Sequence, residues 1–412
     1  MAFLGLLVYF TVVYLAPSLW IERFRHWQLV DLTTIVTAAF LAVAMAVTRK
    51  GLVKVPHTLA MAGLLLAAVG SHVAHTYLAA AQNTVVVFGK LLVMYLLIVN
   101  TVTSERRFRL AIWCLVILTA LLAVHGLQQY HTGVGWGGRT LRIDQRIQWV
   151  GMFHDPNDLA LAFVMMVPVL LSHVFRRAVF LFKIVPTGLV AMLIYGIYLT
   201  NSRGGTLALM ATVVFFFIKR SKWVVPGGIL GGLMATGVFL FGPSRLGMLS
   251  AEEASAYGRL DAWYYGFQLL KANPLFGVGY GLFTDQYPLT AHNSFLLAAS
   301  ELGLVGLCAW MSVFYTSFKG LSLVQHHHPR LAPFAYGLQA SLVGFGAGAF
   351  FLSRTYNELS YLLCGMSAAL FHVVRQQVPA IDFRLTRRDL WGIGAWSLGA
   401  LALIQVAMKT WL

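Results

Sequence analysis

The sequence predicts an all-α polytopic membrane protein with about 12–13 transmembrane helices, and three observations predict it. Of the 412 residues, 59% are hydrophobic and only 11% charged, and the mean hydropathy is +0.74. A soluble domain carries roughly 25% charged residues to face water. The apolar residues fall into runs of about 18–22, the length that crosses a hydrocarbon core of about 30 Å. The basic residues, finally, concentrate in alternate connections between those runs.

Thirteen spans are expected within one integral membrane domain, 1–412. They lie near 2–20, 29–48, 55–73, 84–102, 108–130, 158–175, 179–200, 205–218, 224–242, 294–318, 331–352, 356–374 and 390–409. The first lacks a basic leader region and an A-x-A site, so it reads as a retained span. Cys114, Cys308 and Cys364 each sit inside an apolar run and read as small buried hydrophobes. Gly227 and Gly231, Gly228 and Gly232, and the series Gly344, Gly346, Gly348 have the small-residue spacing of closely packed helices.

The net charge of +16 raises the question of nucleic acid, and its placement answers it. One set of alternate loops holds Arg49, Lys50, Lys54, Arg106, Arg107, Arg109, Arg176, Arg177, Lys183, Lys219, Arg220 and Lys222. The same set continues with Lys319, Arg330, Arg375, Arg384, Arg387 and Arg388. Only Glu105, Asp382 and Asp389 oppose them there, and the other side is close to neutral. That is the positive-inside pattern. It puts the basic loops in the cytoplasm against anionic phospholipids, with no nucleic acid as partner. Lys90 and Glu301 fall within spans and are expected to cancel.

Every cytoplasmic loop is about fifteen residues or fewer, too short for a nucleotide-binding domain, and no Walker A sequence is present. Gly277-x-Gly279-x-Gly281 is not a dinucleotide fingerprint. A nucleotide-driven pump and an enzyme using cytosolic nucleotide sugars are therefore excluded. The long connections are external, 131–157 and 243–293, and chemistry is expected on that face. The absence of an obvious internal repeat disfavours an inverted-repeat transporter.

Four clusters on that face carry candidate chemistry. Asn201-Ser202-Arg203-Gly204-Gly205 is a tight turn in which Arg203 either snorkels to headgroups or meets a ligand that the glycines let close. Arg259 and Asp261 open a stretch in which Trp263, Phe267 and Leu270 recur at i, i+4 and i+7, an amphipathic helix on the interface. There Arg259 either binds an anion or pairs with Asp261. His292 precedes Asn293 and Ser294 at the mouth of the tenth span; histidine is the commonest general base, and either neighbour can cap the helix. His154-Asp155-Pro156-Asn157-Asp158 offers either substrate orientation, a helix cap or hard metal ligands. Arg139, Arg142 and Arg146 lie upstream of it, and Arg354 and Glu358 are spaced to pair with each other. His326-His327-His328 reads as a solvated turn.

Taken together, arginines and a histidine at one membrane face suit a lipid pyrophosphate, because guanidinium binds phosphate bidentately and stays charged. The histidine would deprotonate an attacking sugar hydroxyl. A transporter, the rival from another class, would need ionisable residues through the depth of the bundle.

The order Gly258-Arg259-Leu260-Asp261-Ala262-Trp263, Asn273-Pro274-Leu275-Phe276-Gly277-Val278-Gly279, Ala291-His292-Asn293-Ser294-Phe295-Leu296, Glu301-Leu302-Gly303-Leu304-Val305-Gly306, with Asn201-Ser202-Arg203-Gly204 upstream, resembles the signature of the O-antigen ligase/polymerase family (the Wzy and WaaL proteins) over about 200–310. The resemblance implies a GT-C-type bundle with periplasmic loop helices, in a bacterial inner membrane and with its active site facing the periplasm. It implies transfer of a glycan from undecaprenyl pyrophosphate to an acceptor hydroxyl, without nucleotide, metal or other cofactor; the first external loop, about 21–28, has Glu22 as its only acid. It implies Arg203 and Arg259 as pyrophosphate ligands and His292 as base. Arg139, Arg142, Arg146, His154, Asn157, Asn201, Asp261, Asn293 and Arg354 are the expected substrate-binding set. The acceptor is lipid A–core in a ligase and a second repeat unit in a polymerase, and some relatives glycosylate proteins. The 243–293 loop, about fifty residues long, is shorter than in many ligases.

Overall fold

The computed structural model describes residues 1–142, 144–176, 179–221, 249–381 and 383–411. The ninth expected span, with Gly227, Gly228, Gly231 and Gly232, lies outside the described residues. Among those described, the chain is helical and contains no strand, only one isolated bridge between Val134 and Thr140. The helices are α1 Ala2–Leu15, α2 Leu29–Thr48, α3 Pro56–Val73, α4 Leu78–Thr101, α5 Glu105–Thr132, α6 Pro156–Val174, α7 Leu181–Leu199 and α8 Arg203–Ser221. They continue with α9 Leu249–Ala272, the single turn α10 Phe283–Gln286, α11 Ser294–His327, α12 Ala332–Ala349, α13 Glu358–Gln377 and α14 Arg387–Trp411.

Nine helices among the described residues are long and apolar enough to cross a membrane: α1 to α7, α11 and α14. The chain is thus a multi-pass membrane protein. The expected spans at α12 and α13 form helices too but fall short of that apolarity, and the expected span at α8 is also a helix. The reason is position: α12 packs between α6 and α8, and α13 against α4 and α11, so other helices rather than lipid satisfy their small and polar residues. Gly344 of α12 faces Thr212 and Gly348 faces Leu161, each too close for a Cβ, whereas Gly346 faces open space. Ser341 donates to Met165 O at 2.5 Å, one turn before Pro168 of α6.

The bundle centres on α6 and α11, which bury 78% and 72% of their apolar windows; α2 buries 6% of its own and α7 and α14 22% each. Ile35, Val43 and Val47 of α2 are exposed, as a lipid-facing surface requires.

Alternate connections gather at opposite ends. At one, Arg375 donates to Lys54 O (2.7 Å), Lys319 pairs with Asp389 (2.5 Å) and His328 bonds Gln377 (2.8 Å). The His326–His328 turn is thus a capped helix end. At the other, Trp149 donates to Tyr14 O (3.0 Å) and His75 bonds Gly277 O (2.7 Å).

The charges of Lys90 and Glu301 offset in the count, but the two side chains do not pair with each other. Lys90 pairs with Asp31 at 2.8 Å, and Glu301 accepts from Tyr356 Oη (2.8 Å) and Phe283 N (3.2 Å). The spans were read from apolar runs alone, which hide an Asp at the start of one helix and a Tyr in a turn.

Helix α11 is broken at Gly303 (φ 69°, ψ −170°). The segment 274–279 fills the break. Val278 N and Gly279 N donate to Ser300 O and Glu301 O, both at 2.9 Å, while Leu304 N and Val305 N donate to Pro274 O (2.8 Å) and Leu275 O (3.2 Å). Backbone groups that lose their helical partners are thereby satisfied inside the protein. Gly277 (φ 66°) lies against the Glu301 backbone with no room for a Cβ. The Asn273–Gly279 and Glu301–Gly306 motifs are thus two halves of one clasp, and the clasp seats the start of α11 beneath His292.

Candidate functional site

The clasped start of α11 presents Ala291-His292-Asn293-Ser294 to the turn 350–357. Asn293 caps α11, its Oδ1 accepting from Phe295 N and Leu296 N at 3.0 Å each, and its amide donates to Phe350 O at 3.0 Å. Ser294 Oγ donates to Leu352 O (2.6 Å) and accepts from Arg354 N (2.7 Å). Fixed between them, His292 holds a left-handed backbone (φ 48°), a conformation uncommon for a non-glycine residue and concentrated at functional sites.

Arg354 does not pair with Glu358. Its guanidinium donates from Nε to Asp158, from Nη2 to Asp155 Oδ2 (3.1 Å) and from Nη1 to Ser353 O (3.0 Å). The i, i+4 expectation fails because Arg354 stands in the turn before α13 and never shares a helical face with Glu358. Asp155 caps α6 by accepting from Asn157 N at 2.8 Å.

Asn157 Oδ1 gathers two further elements, receiving Arg146 Nη2 (3.0 Å) and Ser202 Oγ (2.7 Å). Arg146, 8% exposed, also donates to Thr200 O at 2.6 Å and faces Asp144 at 3.6 Å, as Arg142 does at 3.7 Å. Ser202 caps α8 through Gly205 N (3.0 Å), and Asn201 supplies the left-handed residue of the turn (φ 50°). A Cβ on Gly205 would fall 2.6 Å from Ala160 of α6. Its smallness therefore serves helix packing, not approach to a ligand. Arg203 then opens α8 on an exposed surface.

Helix α9 packs on α11, with Gly266 against Leu296 and Trp263 edge-to-face with Phe350 (5.7 Å). That places Arg259, half-buried, over the same end. Asp261 points outward and is exposed, and no hydrogen bond or ion pair holds Arg259 among the described residues. Burial, and then the charge of Arg203, push the Arg259 guanidinium below its ordinary range.

His292 feels the same cluster. Burial lowers it from the ordinary 6.5, Arg259 and Arg354 lower it further, and Asp155 opposes them. The neutral imidazole is therefore favoured. Burial pushes Asp155 up, but the Asn157 amide and the charges of Arg354, Arg146 and Arg142 outweigh it, so the carboxylate stays below its usual 3.8.

The structure thus brings Arg142, Arg146, Asn157, Asn201, Arg203, Arg259, His292, Asn293 and Arg354 to one end of the bundle. It does not bring in Asp261, nor Arg139, which donates to Leu19 O (3.2 Å) on an exposed loop. His154 is exposed and bonds Gly151 O at 3.2 Å. Sequence reasoning names Ser202 and Ser294 but misses their bonds to Asn157 and to the Arg354 turn, and it misses the Arg354–Asp155–Asp158 cluster, because the partners are far apart in the chain. Among the described residues, no three of His, Cys, Asp and Glu gather where they could hold a metal ion.

Residues 187–311, which contain Arg203, Arg259 and His292, match the Wzy_C family, described as O-antigen ligase. The chain is also similar to the exopolysaccharide production protein ExoQ of Rhizobium meliloti (strain 1021), at 27% identity over 166 residues. That alignment covers 35% of this chain and 36% of the relative.

Proposed function

We propose, from the match of residues 187–311 to the Wzy_C family, described as O-antigen ligase, that this chain is a GT-C-type, metal-independent membrane glycosyltransferase. It moves a glycan from undecaprenyl pyrophosphate to an acceptor hydroxyl at the periplasmic face of a bacterial inner membrane. The observation that carries the reading is Arg259, a half-buried guanidinium that no carboxylate holds among the described residues, beside Arg203 and within the field that acts on His292. A buried cation without a counter-ion is costly, and a bound pyrophosphate supplies the missing anion bidentately.

In this reading His292, kept neutral, removes the proton from the acceptor hydroxyl as that oxygen attacks the anomeric carbon. The bond to the pyrophosphate oxygen breaks, and Arg203 and Arg259 stabilise the charge that collects there. Arg354, already held by Asp155 and Asp158, shapes the field and fixes the turn. An apolar cavity of about 190 Å³, lined by Phe295, Trp310, Phe314 and Trp396, begins three residues after His292 and suits a donor carried on a hydrocarbon chain.

The family description favours a ligase acting on lipid A–core. The likeness to an exopolysaccharide production protein favours a second reading, a polymerase that joins lipid-linked repeat units. The experiment uses purified protein in nanodiscs with undecaprenyl-pyrophosphate-linked repeat units of its own host, chelator present and no other acceptor. A ladder of lengthening glycans establishes the polymerase and removes the ligase. No ladder, followed by a single transfer once lipid A–core is added, establishes the ligase. No product under either condition rejects both.

A further inference from the structure

The turn that carries Arg354 leads directly into a second polar enclosure. A cavity of about 150 Å³ lies between α1, α2 and α4, lined by Tyr9, Asp31, Lys90, Tyr280, Tyr356 and Glu358. The volume corresponds to about five water molecules, the scale of one sugar ring. The Lys90–Asp31 pair is 58% and 37% exposed on its two sides, so the cavity is reachable from outside the bundle.

Its chemistry is the converse of the arginine cluster. Two carboxylates meet one ammonium, a balance that repels pyrophosphate and favours hydroxyl donors. Tyr9 is 5% exposed, yet its hydroxyl, like the Glu358 carboxylate, has no hydrogen-bond partner among the described residues. Both keep open surface and face the same small space. Tyr280 and Tyr356 stand 4.6 Å apart at 72°, with Phe88 behind both at 5.5 and 5.8 Å. Tyr356 is fixed through its hydroxyl to Glu301. Rigid aromatic walls beside an open carboxylate and hydroxyl suit a pyranose, which has apolar C–H faces and an equatorial rim of hydroxyls.

We propose that this cavity is the acceptor subsite: it holds one uncharged sugar of the acceptor glycan, with Glu358 and the Tyr9 hydroxyl bonding its hydroxyls. This rests on the glycosyltransferase reading above. The turn 353–358 then joins the two halves of the reaction, presenting Arg354 to the donor side and Tyr356 with Glu358 to the acceptor.

The test measures binding of two probes to the full chain in nanodiscs: sugar-free undecaprenyl pyrophosphate, and the glycan released by mild acid from the host's lipid-linked repeat unit. Glu358→Gln is expected to weaken glycan binding about tenfold and Tyr9→Phe several-fold, the worth of one hydrogen bond each. Neither should change the affinity for the lipid pyrophosphate. In transfer assays both should raise KM for the acceptor and leave kcat in place. Glycan binding that is unchanged in both variants, lost together with lipid binding, or absent from the wild type overturns the proposal. Arg259→Ala in the same assay separates the two readings. If it retains lipid pyrophosphate affinity, the donor site is wrong, whatever the cavity variants do to the glycan.

Discussion

Arg354 and Asp155 lie 199 positions apart in the chain and 3.1 Å apart in the structure. With Asp158 as a second acceptor, Arg354 ties the start of α6 to the turn between α12 and α13. Arg259, at the same end, has no such tie among the described residues. Two arginines of one cluster therefore play different parts, and they separate experimentally. Arg354→Gln leaves two partly buried carboxylates without their cation and should cost about 3 kcal/mol, seen as a clear fall in melting temperature. Arg259→Gln removes a cation that no carboxylate among the described residues balances and should melt at or above the wild-type temperature. Equal melting behaviour of the two variants contradicts this division.

Gly303 sits at φ 69°, ψ −170°, in a region essentially confined to glycine, where another residue costs about 1–3 kcal/mol in strain alone. A Cβ there also meets the backbone of Leu275. Gly303→Ala should therefore open the clasp, lower the melting temperature sharply and abolish activity through the misplaced start of α11. Gly346→Ala, which faces open space, is the matched control and should be neutral or stabilising by about 0.5–1 kcal/mol.

The pH profile follows from His292. Its base form is the neutral imidazole, and burial with the Arg259 and Arg354 charges holds its titration below 6.5. Activity is then full at neutral pH and falls only as the pH drops through that lowered value. The acid limb of kcat/KM, which reports the free enzyme, should lie below pH 6.5 and vanish in His292→Ala, whose residual rate should be about 10²- to 10⁴-fold lower. An acid limb above 6.5 in the wild type contradicts the geometry.

Much of this was legible in the sequence because bilayers impose a coarse rule. An apolar run of sufficient length, with basic loops on alternate sides, marks each span, and twelve of the thirteen expected spans coincide with described helices. Asn293 and Asp155 were legible as helix caps because capping is local. What stayed hidden was non-local. The run 294–318 reads as one uninterrupted span, and only the approach of 274–279 shows why it breaks at Gly303. Arg354 has Glu358 four residues away, yet chooses Asp155 and Asp158 because the turn aims it across the bundle. Asp31 gives no signal in the sequence, and Glu358 only that of a partner for Arg354, whereas α2, α4 and the 353–358 turn enclose both in one cavity.

Conservative substitution offers a finer probe of the arginines. Arg203→Lys and Arg259→Lys keep the charge and lose the planar fork, so each should retain insertion and yet transfer at least about tenfold more slowly than wild type, since the two side chains are not interchangeable at a bidentate site. Lysine variants with wild-type rates would mean that the cations act only through the long-range field.

Whether Arg259 holds the leaving pyrophosphate is read from the single-turnover rate of glycan transfer by Arg259→Ala in nanodiscs, with saturating lipid-linked donor and acceptor. That rate should fall at least about 100-fold, the usual loss when one donor to a developing charge is removed, in a protein that inserts and melts like the wild type. A rate within a few-fold of wild type would place the pyrophosphate elsewhere.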